Sequence, residues 1–167
     1  MTKDPELRND DWPASRLLRI SEITADFRGA RYLQALVLAL ARVLQVRFAM
    51  IAVRREGREH AQVLAIADGE DLSQPFRYLT RELPCHTVLG GEAVSVPCNI
   101  VELYPGANEI EAYVGQPLKG RDGAVIGLLA VEHTAPITSA AGMARVLRAL
   151  AGRTAAEIEG EPDLLRA

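Results

Sequence analysis

Apolar residues spaced three to four positions apart predict two helices in the first third of the chain. The first helix is predicted over about residues 12–26, with Asp11 as its cap and Pro13 in its first turn. A stronger helix is predicted over about residues 30–45. Its apolar stripe consists of Leu33, Leu36, Val37, Leu40, Val43 and Leu44. Leu38 lies outside this stripe, so we expect the second helix to bury a second face.

The period of the pattern then changes from helical to strand-like and predicts two hairpins. The strands are expected over about residues 47–54, 61–67, 112–118 and 124–131. Residues 56–58 form the first turn, and residues 120–123 form the second, in which Asp-Gly is the strongest short-range hairpin signal. The last strand is almost wholly apolar, so we expect it at the centre of a sheet.

Short elements are predicted between the hairpins, and one long helix after them. The short ones are a strand near residues 75–79, a helix over 84–89, a strand over 92–96 and a turn over 100–103. Thr138 is placed to cap a final helix that runs to about Glu159. Hairpins imply an antiparallel sheet, and the flanking helices then make an α+β fold.

We expect three segments along the chain. Residues 1–29 form an N-terminal segment with the first helix, residues 30–160 form the main domain, and residues 161–167 form a tail. A length of 167 residues is sufficient for one domain with a real core.

Composition excludes several classes of function. The 49% hydrophobic and 25% charged residues are typical of a globular protein. A net charge of −3, with scattered Lys and Arg, disfavours nucleic-acid binding. The longest apolar run, near residues 35–46, is too short to span a membrane, and the polar start is not typical of a secretory signal. Two cysteines make no disulfide framework, so we expect a reducing, cytoplasmic location.

Four stretches of the chain, together with the closing helix, form a recognisable combination within about residues 33–159: LQALVLALARVLQVRFAMIAV, LPCHTVLGGEAVSVP, YPGANEIEAYVGQPL and DGAVIGLLAVEHTAPI. This combination resembles the GAF domain, a small-molecule-sensing module of many bacterial signalling proteins. The PC-x-x-VLGG stretch resembles a bacterial subgroup found ahead of sensor-kinase, cyclase or transcription-activator modules. The resemblance implies a central antiparallel sheet of about six strands. The N- and C-terminal helices would cover one face, and short helices and loops the other.

This resemblance implies a regulatory module that binds a small molecule, rather than an enzyme. The segment over residues 68–106 would close over the ligand pocket, and the terminal helices would pair across a homodimer. Leu38 and the first helix, which otherwise lack a partner, agree with that expectation. A separate signalling output protein is a candidate partner. The sequence names neither ligand nor cofactor, since the motifs of cyclic-nucleotide and bilin-binding GAF domains are absent.

Candidate ligand contacts are the aromatic and polar residues of the short elements, because pockets combine apolar walls with a few convergent polar groups. They are Phe76, Tyr78, Cys85, His86, Thr87, Tyr104 and Tyr113. For each aromatic residue the competing interpretation is ordinary core or rim packing. The three histidines have no spacing typical of a zinc site, so we expect no metal.

Cys85 has two interpretations. If Pro84 opens a helix, the thiol lies at a helix N-terminus, which favours the reactive thiolate. Otherwise Cys85 fills space as a small hydrophobe. A thiolate would support an alternative function, a redox enzyme similar to the free methionine sulfoxide reductases, with Cys98 as a candidate redox partner. The cysteines here do not match that group's motif. A third hypothesis is an interaction domain whose pocket has lost its ligand.

Overall fold

A computed structural model of the protein describes residues 7–166. Its helices are α1 Leu7–Thr24, α2 Gly29–Leu44, α3 Pro84–Leu89, α4 Ala140–Glu159 and α5 Pro162–Arg166. Its strands are β1 Phe48–Arg55, β2 His60–Asp68, β3 Asp71–Leu72, β4 Arg77–Leu79, β5 Val94–Val96, β6 Ala112–Lys119 and β7 Val125–His133. One 3-10 turn, Ile100–Glu102, lies between β5 and β6.

The strands form one antiparallel sheet in the order β3-β2-β1-β7-β6-β5, and β4 also pairs with β2. The predicted hairpins are β1–β2 and β6–β7, and β1 joins them by pairing with β7 at the centre. Helices α1, α2 and α4 cover one face, while α3 and the 3-10 turn lie on the other. The predicted α+β fold is therefore confirmed.

Alternation along the strands gives the sheet two separate cores. In β1, Ile51 and Val53 face the helices, whereas Met50 and Ala52 face α3. The β1–β2 pairing shifts register between Ile51 and Ala52 of β1. Opposite this step β2 has one extra, unpaired residue between Val63 and Ala65, which is a β-bulge. The bulge exchanges the two faces. As a result Val63 packs beneath α3, although Ala65, two residues further on, packs beneath the helices.

Helix α1 packs against the rest of the domain, so the expectation that it lacks a partner is wrong. Ile20 is fully buried in the helix-side core, and the ring of Trp12 lies against Gly142 of α4. Leu38 is likewise half-buried against the same core. Because α1 begins at Leu7, Pro13 and its neighbours lie within the helix and Asp11 is no cap. Residues 8–11 are all polar, so the apolar spacing gives no sign of a helix before Trp12.

Two more boundaries differ from the prediction. Helix α4 begins at Ala140, after Ser139 rather than Thr138, and neither residue's side chain makes a cap hydrogen bond. Strand β7 runs two residues beyond Val131, to His133, because its backbone pairing with β6 continues to Ala112. The two residues added to the strand are Glu132 and His133.

A polar clamp of Arg153, Glu157 and Gly29 joins the α1–α2 junction to α4. The Arg153 guanidinium lies 4.1 Å from the centre of the Tyr32 ring and donates a hydrogen bond of 2.9 Å to the Phe27 carbonyl. The Glu157 carboxylate accepts a hydrogen bond of 2.6 Å from the Gly29 backbone N–H. The Arg153 guanidinium also donates a hydrogen bond of 3.3 Å to the Thr24 carbonyl, so α4 holds both the end of α1 and the start of α2.

None of the helices within residues 7–166 combines the length and the apolar character needed to cross a bilayer.

Candidate ligand-binding site

A cavity of about 700 Å³ lies on the sheet face opposite the long helices. Its floor comes from β1, β2 and β7, and its walls come from β4, the start of α3 and residues 106–110. Its apolar lining includes Phe48, Met50, Ile66, Leu83 and Ile110. This volume and this lining are typical of sites that enclose a small molecule.

Three of the seven candidate contacts line the cavity: Phe76, Tyr78 and Cys85. The rings of Phe76 and Tyr78 are 5.8 Å apart between centroids and tilted by 49°, so they form one aromatic wall. Phe76 is 46% exposed and stands at the mouth. The buried Tyr78 hydroxyl lies near the Cys85 thiol, but no described residue satisfies it by hydrogen-bond geometry.

The other four candidates lie outside the cavity lining and hold α3 in place. His86 Nδ1 is 3.0 Å from the hydroxyl oxygen of Thr80, which donates to the Arg58 carbonyl. The hydroxyl oxygens of Thr87 and Tyr104 are 3.2 Å apart. Consecutive residues of a helix point in different directions, so Cys85 can face the cavity while the next two residues do not. Their contact with a ligand stays a prediction.

Tyr113, the fourth of these, anchors the buried end of α3. Its hydroxyl donates to the Cys85 sulfur over 3.6 Å. The fully buried Tyr113 ring lies over Gly115, where an added Cβ would approach it to 2.5 Å. Gly115 therefore leaves the space that lets a tyrosine lie along the strand beneath the thiol.

The Cys85 thiol is protected rather than activated. Burial, and after it the charge of Glu132, raises the pKa of Cys85 to about 12, although the phenols of Tyr78 and Tyr113 oppose the shift. Desolvation outweighs the N-terminus of a helix of only six residues. Of the two interpretations of Cys85, the space-filling one therefore fits the site, and the reactive thiolate does not.

Glu132 is the residue of the pocket that the sequence argument missed. It lies in β7 directly between Phe48 of β1 and Tyr113 of β6, and its side chain lines the cavity. Loss of water around the half-buried side chain raises the pKa of Glu132 to about 7. The prediction ended the strand at Val131. Extending the alternation from Ala130 would have placed Glu132 on the cavity face.

Arg47 is the cation of the cavity wall, and it already has partners. Its Nε lies 3.1 Å from Oδ1 of Asp68, and its guanidinium lies 5.0 Å from the centre of the Phe48 ring. Its backbone N–H donates to Nδ1 of His133 over 3.1 Å. Among the described residues, Glu132 has no hydrogen bond and no ion pair. The same part of the chain contains no group of three or more His, Cys, Asp or Glu arranged to hold a metal ion.

The antiparallel sheet, the helices on its two faces and the cavity beneath the smaller cover define a small α+β domain. The chain belongs to the GAF domain family, whose model matches residues 30–158. Domains of this family are generally regulatory and bind small ligands. Among curated proteins, none matches the chain in sequence.

Solved structures show the same fold at low sequence identity. The GAF domain of an Acinetobacter phosphoenolpyruvate-protein phosphotransferase is 18% identical, with a TM-score of 0.69, over 93% of this chain and 98% of that one. The corresponding Coxiella burnetii domain is 15% identical, with a TM-score of 0.72, over 90% and 95%. A free methionine-R-sulfoxide reductase from Neisseria meningitidis, bound to its substrate, is 16% identical, with a TM-score of 0.67, over 96% of both chains.

The two free thiols should react at very different rates. Cys98 is exposed and Cys85 is buried with its raised pKa, so in the folded protein iodoacetamide should modify Cys85 at least about tenfold more slowly. Peptide mapping by mass spectrometry measures both rates, and the denatured protein is the control, in which the difference should vanish. Equal rates in the folded protein would contradict the buried, protonated thiol.

The Glu132 carboxyl should make stability depend on pH. The pKa of Glu132 is about 7 in the folded protein against 4.5 for an ordinary glutamate. Its protonated form therefore favours the folded state fully below about pH 4.5, and this contribution to stability is lost as the pH rises through about 7. The free energy of unfolding of Glu132→Gln, relative to that of the wild type, should therefore be higher at about pH 8 than at about pH 5, by on the order of 2 kcal/mol. Chemical denaturation at both pH values measures this.

Glu109→Gln is the matched control, because Glu109 is an exposed carboxylate at the rim of the same cavity. Its stability difference from the wild type should stay nearly constant with pH. A constant difference for Glu132→Gln as well would show that the carboxyl is solvated in the folded protein.

Proposed function

We propose that this chain is a sensory domain of bacterial signal transduction that acts in the cytoplasm and binds a small molecule in the cavity. The observation that carries the proposal is the cavity itself, about 700 Å³ of space lined by apolar and aromatic side chains with a few polar groups. In this proposal Phe76, Tyr78 and Cys85 contact the ligand. His86, Thr87, Tyr104 and Tyr113 hold the wall that carries Cys85.

One side of the cavity is suited to respond to a ligand. Ser73, Phe76, Asn108 and Glu109 are exposed residues of short connecting segments, whereas the floor belongs to the central strands. Exposed segments with few buried contacts have low local stability. A ligand that contacts both the floor and these segments would order the segments against the sheet.

Strand β7 offers a route from the cavity to the helices. Glu132 faces the cavity, while its neighbour Val131 is buried beneath the helix layer. A ligand can shift an equilibrium only through different affinities for two states, so it must alter the sheet or its cover. We propose that the terminal helices carry this change across a homodimer to a signalling output protein.

The competing proposal, a thiol-dependent reductase that uses Cys85, is supported by likeness of fold alone. The buried thiol, with its pKa of about 12, adds no observation in its favour.

A tryptophan at the cavity mouth should block ligand binding. Ser73 is exposed and lines the cavity, so Ser73→Trp should fill the mouth without disturbing the core. In a thermal-shift screen of amines, amino acids, purines, cyclic nucleotides and 2-oxo acids, compounds that stabilise the wild type should lose that effect in this variant. The neighbouring Gln74→Trp is the control, because Gln74 is exposed but does not line the cavity. Equal shifts in both variants would place binding elsewhere.

The dimer should depend on the exposed apolar residues of the first helix. Leu18 is 61% exposed on α1, so Leu18→Glu should shift the protein toward monomer at micromolar concentration. Size-exclusion chromatography with light scattering measures the mass. Leu103→Glu, at a residue 67% exposed beyond the 3-10 turn, should leave the mass unchanged. A monomeric wild type would contradict the dimer.

A further inference from the structure

We infer that the cavity takes a small cation, an apolar or aromatic body that bears a protonated amine or amidine, with Glu132 as its counter-ion. The inference rests on the proposed function and names the chemical class of the ligand. It follows from the position of one carboxylate and from the partners of the charges around it.

The first observation is that Glu132 lies on the cavity wall without a partner. It is flanked in the sheet by Phe48 and Tyr113, and no described residue gives its carboxylate a hydrogen bond or an ion pair. A half-buried, unpaired carboxylate is less well solvated than one in open water, and a cation with N–H donors bound in the cavity would satisfy it. A ligand with such a group gains an interaction that the empty protein lacks.

The second observation is the balance of charge. The charged residues of the cavity lining are Arg47, Glu109 and Glu132. Arg47 is engaged by Asp68, which lies outside the lining, so its charge is already countered. The lining therefore presents a negative field to a ligand. An anionic ligand would bring like charges together, which disfavours carboxylates and phosphates.

The third observation is the set of groups around the carboxylate. Phe48, Phe76 and Tyr78 line the same cavity, and aromatic faces attract cations. The Tyr78 hydroxyl is buried without a hydrogen-bond partner among the described residues, so it can accept an N–H from the ligand. Met50 and Ile66 in the floor provide an apolar surface for the body of the molecule.

Four small probes that differ mainly in charge test this inference. Phenethylamine and benzamidine are cations, phenethyl alcohol is neutral and hydrocinnamate is an anion. Isothermal titration calorimetry should show that the two cations bind the wild type more tightly than the neutral and anionic probes do. Glu132→Gln should lower the affinity for phenethylamine by about tenfold or more, because a charge-assisted hydrogen bond is lost. Glu109→Gln should change it much less.

The dependence on pH separates Glu132 from its neighbours. Phenethylamine affinity should rise several-fold from about pH 6 to about pH 8, as Glu132 ionises through its pKa of about 7. Burial raises the pKa values of Cys85, Tyr78 and Tyr113 far above this range.

Arg47, Asp68, Glu109 and His133 complete the ionisable groups around the cavity wall. Glu132→Gln retains all four, so its phenethylamine affinity should be flat with pH. A rise that persists in that variant would assign the effect to those residues and overturn the role of Glu132.

Other results would also overturn the ligand class. Hydrocinnamate or phenethyl alcohol binding at least as tightly as phenethylamine would do so, as would an unchanged amine affinity in Glu132→Gln whose circular dichroism shows it folded. If the probe that does bind is blocked by Ser73→Trp, the pocket function stands and the cation inference alone fails. If binding of every probe is indifferent to Ser73→Trp, both fail.

Discussion

A β-sheet has two faces that must both be covered, and this protein covers them unequally. Three helices lie across one face, whereas the other is covered by a six-residue helix and short connections. That short helix rests on β6 through the Tyr113 hydroxyl and the Cys85 sulfur. It leaves the neighbouring end of β7 and the start of β1 beneath an open space. The pocket therefore exists because α3 and the short connections are too small to cover the whole face of the sheet. Cys85 lies at the contact between α3 and β6.

Much of the fold can be predicted from the sequence because its main elements are local. The Asp122-Gly123 turn is an example, since the Asp122 carboxylate accepts the Ala124 N–H at 2.9 Å and Gly123 has a φ of +81°. The resemblance to GAF domains predicted which elements cover each face of the sheet, the terminal helices on one side and short helices and loops on the other. The pairing of β4 with β2 and the bulge in β2 depend on contacts between distant segments. Neither leaves a periodic signal in the chain.

The site is less predictable, because a pocket is defined by direction as well as by sequence position. Cys85, His86 and Thr87 are adjacent in sequence, yet the last two turn away to bond Thr80 and Tyr104. Glu132 was missed for the opposite reason: a charged residue after an apolar run normally ends a strand. Its strand continues because β6 supplies backbone partners as far as Ala112. Only the sheet register shows that this carboxylate faces inward.

The Arg153 clamp has a mechanical consequence for the helix layer. Arg153 and Glu157 lie one turn apart on α4, and between them they hold the Phe27 carbonyl and the Gly29 N–H. The hinge at which α1 could swing away from α2 is thereby tied to a third helix. Trp12, near the other end of α1, packs against Gly142 of the same helix, so α1 is held to α4 at both ends. A tilt of α4 on the sheet would therefore carry α1 with it as part of one rigid layer.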